Sequence, residues 1–139
     1  MKSKRKVVEF SLRHYSEIPL EVMANRVGQA IGVTFHESDE EDMPGVVTEV
    51  FGTNVALYDT RGLNNRVVFI LTSWVTDMRF LDGPGGQGVE LEGIDISEAV
   101  SDLLAVRRVG EWHPPAEAEV AAELAHATRR RKRFEREDA

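Results

Sequence analysis

The chain has 139 residues, 42% of them hydrophobic, no cysteine and a net charge of −7. That size supports one hydrophobic core without a metal or staple, and the missing thiols exclude a disulfide framework, thiolate metal sites and cysteine catalysis. Four cations open the chain (Lys2, Lys4, Arg5, Lys6) and six close it (Arg129, Arg130, Arg131, Lys132, Arg133, Arg136), so residues 7–128 keep 7 positive and 21 negative groups, or −14. A body that negative attracts basic partners and repels nucleic-acid phosphates.

Along the chain, residues 7–13 alternate apolar and polar positions, which predicts a half-buried strand. Pro19 suits a first helical position, where its missing N–H costs nothing. Leu20, Met23, Ala24, Val27, Ala30 and Ile31 then recur at spacings of three and four and predict a helix stopped by Gly32. Residues 33–35 read as a short strand leading into an acidic run, Glu37, Asp39, Glu40, Glu41 and Asp42. Like charges packed that densely stay extended and wet, or meet a basic protein.

Residues 46–51 and 54–58 are rich in β-formers and joined at Gly52-Thr53, the pattern of an antiparallel hairpin. A turn-forming stretch, DTRGLNN, occupies 59–65 and places Asp59 and Arg61 at its start. The most apolar run, RVVFILTSWV over 66–75, predicts an interior strand buried on both faces, with Trp74 in the core. A glycine-rich loop spans 82–88, and Asp95-Ile96-Ser97-Glu98 has capping-box spacing for a helix that stops at Gly110. Trp112 is placed to pin the following segment to the body. From Ala116 onward the sequence favours helix, with a thin apolar stripe of Val120, Leu124, Ala127 and Phe134 interrupted by Arg131.

The expected fold is α+β: an antiparallel sheet of four to five strands with helices packed on one side, plus a C-terminal helical tail. The expected organisation is one domain over residues 1–113 and a charged helix or tail over 114–139.

Several motif matches fail on context. Residues 83–88 fit G-x-G-x-x-G, but Val89-Glu90-Leu91-Glu92 follows instead of a helix start, and its glutamates would repel a pyrophosphate. Ala24 and Gly28 have helix-turn-helix spacing, yet the segment where a recognition helix belongs is the acidic run. That run lacks the central glycine and register of a calcium loop. His14, His36, His113 and His126 are scattered, with no metal-binding pair, and no serine stands in a nucleophile elbow. Neither enzyme activity nor a cofactor nor a metal is expected. Charges interrupt the apolar start, so it reads as no signal peptide, and no run is long enough to span a membrane. A cytoplasmic protein is the expectation.

The strand-turn-strand layout of Val46-Val47-Thr48-Glu49-Val50-Phe51-Gly52, Asn54-Val55-Ala56-Leu57-Tyr58 and Arg66-Val67-Val68-Phe69-Ile70, with helices before and after, resembles the small α+β immunity proteins of bacterial polymorphic-toxin systems. The resemblance covers residues 7–110. It implies a protein that binds a toxin and occludes its active site with acidic residues.

The leading expectation is therefore a non-enzymatic binding protein whose acidic surface docks on a basic toxin or nuclease. The contact residues expected first are Glu37, Asp39, Glu40, Glu41 and Asp42, then Asp59 and Arg61. The alternative is a small nucleic-acid-associated or phage regulatory protein using its basic ends, with Arg129, Arg130, Arg131, Lys132 and Arg133 on phosphate. The same cluster would also complement a helix C-terminus.

Overall fold

The alternating segments of the sequence assemble into a five-stranded antiparallel sheet, seen in a computed structural model that describes residues 3–38, 45–50, 53–75 and 89–137. The elements are β1 (Ser3–Glu9), β2 (Ser11–Tyr15), α1 (Leu20–Ile31), β3 (His36–Glu37), β4 (Val46–Val50), β5 (Thr53–Arg61), β6 (Val67–Val75), β7 (Val89–Asp95), α2 (Ser97–Val106) and α3 (Glu117–Glu137). Strand order is β2-β6-β5-β4-β3, and β1 pairs separately with β7 in parallel. The α+β class and the antiparallel sheet are as the sequence predicts.

The strand expected over 7–13 is two strands. At Phe10 the chain leaves the β1–β7 pair and joins β6: Phe10 N donates to Ser73 Oγ at 2.9 Å, and Ser73 N donates to the Phe10 carbonyl at 3.1 Å. Apolar alternation runs through the change of partner, so the sequence pattern carries no mark of it. The short strand expected at 33–35 forms slightly later, as β3. The hairpin forms in the expected sense, with Val46 opposite Leu57 and Val50 opposite Thr53. Gly52 and the loop at 82–88 lie outside the described residues.

Helix α1 buries Met23, Val27 and Ala30, the face its spacing marked. Pro19 stands one position earlier than expected, at the N-cap, with its carbonyl accepting from Val22 and Met23 N–H. Gly32 closes the helix at φ 78°, a left-handed cap natural to glycine. Before α2, Asp95 Oδ1 accepts from Ser97 N at 2.8 Å, and the Ser97 hydroxyl takes the Ser11 N–H at 3.1 Å. Hydrogen bonds from Ser97 hold the Asp95 carboxyl below its ordinary range.

Alternation in the strands sorts residues onto two faces. Leu12, Val55, Leu57, Phe69 and Leu71 join Met23, Val27, Leu104, Val109 and Trp112 in the core under α1 and α2. Leu12, Leu57, Phe69 and Leu71 are wholly buried, each contributing roughly 1.5–3 kcal/mol of hydrophobic stabilisation. Residues Val68 to Leu71 are buried consecutively, as a strand covered on both sides requires. The second cover is α3. It crosses the opposite face, over Arg13, Tyr15 and the end of β5. Trp112 is buried at 3% exposure, stacked 4.9 Å from the His14 ring, and holds the segment leading to α3. Trp74 is half-buried.

Candidate functional site

Glu37, the first residue of the acidic run, lies at one end of the sheet. β3 is only two residues long, and its Glu37 lies opposite Val46, which lies opposite Leu57. Asp59 is two residues past Leu57 on the same face, so it stands at the end of the sheet where the chain departs after Ser38 and returns at Gly45. Both Glu37 and Asp59 are exposed. The return is sterically tight: Gly45 has φ 78°, and a Cβ there would overlap the Leu57 carbonyl and Tyr58. Asp39, Glu40, Glu41 and Asp42 lie outside the described residues.

Beside β3, an open groove of ≈ 460 Å³ runs between α1 and the sheet edge. Phe35, Val33, Val46 and Ala24 give it an apolar floor, Asn25 and Gln29 supply amides, and Glu21 and Glu37 supply carboxylates. Among the described residues that line it, none is a lysine or arginine. Its chemistry is that of a surface that accepts hydrogen bonds from cationic side chains and covers their aliphatic stems.

Of the other expected contacts, Arg61 follows Asp59 along β5 but turns to its own loop, where Nη1 donates to the Asn65 carbonyl at 2.8 Å. Arg129 donates from Nε to Ala125 O within α3 at 3.3 Å. The backbone at Arg130, Arg131, Lys132 and Arg133 continues that helix. The structure thus brings Glu37 and Asp59 to one end of the sheet, and the basic cluster belongs to a separate element.

A second constellation was not anticipated. Arg13 is 7% exposed and its Nε donates to both Glu123 oxygens, at 2.9 and 3.1 Å. Its Nη1 donates to Ser11 Oγ and the Leu12 carbonyl. Next to this pair, the Glu119 carboxylate accepts from Tyr15 Oη at 2.6 Å, from His113 Nε2 at 2.9 Å and from Ala116 N at 3.0 Å. Burial works against the charged form of Glu119, but these donors together outweigh it and hold the carboxyl at about 2. Tyr15 responds in the opposite sense: burial, then its bond to Glu119, pushes the phenol up to about 12. Arg66 lies over the Tyr15 ring, 4.5 Å from its centroid. Burial also raises the Tyr58 hydroxyl.

A hollow of ≈ 450 Å³ beside this cluster is lined by His14, Tyr15, Glu111, Trp112 and His113. Tyr15 Oη and His113 Nε2 are both engaged by Glu119, and His14 Nδ1 is engaged by the Glu111 carbonyl at 2.8 Å. These bonds clasp α3 and its leading segment to β2. Among the described residues, no three or more His, Asp or Glu are grouped to hold a metal ion, and no helix is long and apolar enough to cross a membrane. Comparison of the chain with family models, curated proteins and solved structures gave no match.

Proposed function

We propose that this chain is a non-catalytic binding protein of immunity type, which docks an acidic surface onto a basic toxin or nuclease and blocks it. The observation that carries this reading is the groove beside β3. Two carboxylates, Glu21 and Glu37, border an apolar floor with no lysine or arginine among the described lining residues, at the end of the sheet where Asp59 stands, and Asp39–Asp42 follow Glu37 closely in sequence. An anionic face on a body of −14 steers a cationic partner into contact and imitates the phosphates such a partner binds. The apolar floor supplies area for a stable contact once the partner arrives.

In this reading the two ends of the molecule have different roles. The acidic end of the sheet makes the contact, and the clasp of α3 on the opposite face keeps the sheet rigid while it does so. The test is capture of partners from the native host on immobilised chain, followed by an activity assay of the captured protein with one equivalent of chain added. A cationic toxin or nuclease inhibited at that ratio is the expected result. Capture of no cationic protein, or of one that remains fully active, would overturn the reading.

A further inference from the structure

The acidic body carries a cationic hollow. It measures ≈ 340 Å³, lies where the ends of α1 and α2 meet, and is lined by Arg26, Gln29, Ala30, Arg107, Arg108 and Val109. Residues 7–128 hold seven cations, all arginines, and three of them line this one hollow. None of the described lining residues is a carboxylate. Other arginines of the body have partners within the fold: Arg13 pairs with Glu123, Arg61 bonds the Asn65 carbonyl, and Arg66 lies over Tyr15. The guanidinium groups of Arg26 and Arg108 have no hydrogen-bond or ion-pair partner among the described residues.

Helix ends account for part of this charge. The carbonyls that close α1 and α2 carry about half a negative charge per helix. Arg107 answers one of them by donating from Nη1 to the Ala30 carbonyl. Three arginines against two helix ends still leave roughly two positive charges over. Arg108 stands just past the end of α2 at φ 62°, a left-handed conformation in which glycine is the unstrained residue. Closing the helix is therefore better served by glycine, and what the arginine adds there is its charge.

The geometry points to an anion site that takes the phosphate of a small ligand, a phosphomonoester or a diphosphate, between Arg26 and the Arg107–Arg108 pair. Planar guanidinium forks match phosphate oxygens, and a doubly charged anion balances the surplus. The Gln29 amide supplies one more donor, and Ala30 and Val109 give an apolar wall. The volume is at the small end of ligand pockets, which suits a group of that size. A long polyanion is disfavoured, because its phosphates beyond the hollow meet the field of the acidic body. Gln29 also lines the groove beside β3, but the site stands on its own arginines and not on what the groove binds.

Calorimetric titration of the full chain with inorganic pyrophosphate, and separately with adenosine monophosphate, tests it. Saturable binding of either, with one ligand per chain and weakened by salt, is expected, and the tighter of the two tells a free phosphate from one carried on an organic group. Arg26→Gln and Arg108→Gly should each weaken binding at least ~10-fold. Thermal midpoints of both variants should hold, since glutamine keeps the exposed turn of α1 helical and glycine relieves the left-handed backbone at 108. No saturable binding in the millimolar range would overturn the inference. So would binding that both variants retain in full, which would move the anion to the basic end of the chain. Retention of a DNA duplex, lost in the same two variants, would assign the hollow to nucleic acid and overturn the small ligand.

Discussion

Arg13 of β2 and Glu123 of α3 meet at 2.9 Å with both side chains about nine-tenths buried, although 110 residues separate them in sequence. The pair joins the first antiparallel strand to the last helix, across the face of the sheet that the hydrophobic core leaves uncovered. An ion pair in such a place is costly to break, because the surviving partner stays buried and uncompensated. Glu123→Ala should lower unfolding stability by roughly 3–5 kcal/mol, whereas replacing both partners together (Arg13→Met with Glu123→Leu) should cost much less. Urea unfolding midpoints measure the difference. A single substitution that leaves stability unchanged would show that the pair does not hold α3.

The Glu119 cluster sets limits on pH stability. Folding lowers the Glu119 carboxyl from 4.5 to about 2, so the folded state binds its proton more weakly than the unfolded state does. Its contribution is fully present above pH 4.5 and is lost as pH falls towards 2. On the order of 3 kcal/mol is at stake. Acid titration of the unfolding free energy should be steep in that window, and Glu119→Gln should flatten it.

The alkaline limb has the opposite sign. Tyr15 is raised from 10.0 to about 12, so the unfolded chain releases this proton first and stability declines as pH rises through that range. Tyr58, also raised by burial, adds to the decline. Tyr15→Phe should make the high-pH loss shallower, read from thermal midpoints above pH 10. An unchanged slope would remove Tyr15 as its source.

Gly45 stands immediately before β4, on the C-terminal side of the acidic run in sequence. Gly45→Ala forces a Cβ into a left-handed backbone and against the Leu57 carbonyl, at a cost of at least ~1 kcal/mol from the backbone alone. Amide exchange should rise first in β3 and β4, with the β2–β6 ladder least affected. Uniform protection throughout would mean that this contact is dispensable.

Much of this architecture was legible in the sequence because local pattern and tertiary burial agree. The spacing of Met23, Val27 and Ala30 gives α1 its buried face, and the apolar run of β6 gives an interior strand. Where burial is polar, pattern is silent. Arg13 holds a polar position of the alternating run over 7–13, and Glu119 and Glu123 lie off the apolar stripe of α3. The only available signal was pairwise: a carboxylate pair four residues apart on a helix whose apolar stripe is too thin to bury. The β1–β7 pair is hidden for another reason: Val89-Glu90-Leu91-Glu92 alternates like a strand, but its partner lies more than 80 residues away in sequence and no local turn joins the two. Of the candidate site, Glu37 and Asp59 are legible from charge, although Asp59 and Arg61 belong to β5 and not to the turn expected over 59–65, because the ladder with β6 runs on to Val67. The groove and the contribution of Glu21 depend on how α1 packs beside β3, which sequence spacing does not encode.

The proposed docking face is tested most directly by association kinetics with the captured cationic partner, measured across ionic strength. The comparison is between the native chain and one with Glu37→Gln, Asp39→Asn, Glu40→Gln, Glu41→Gln and Asp42→Asn. Electrostatic steering predicts an association rate that falls steeply with salt in the native chain, and one at least ~10-fold slower at low salt in the variant, with dissociation little changed. Equal association rates with the same salt dependence would contradict an anionic docking face at this end of the sheet.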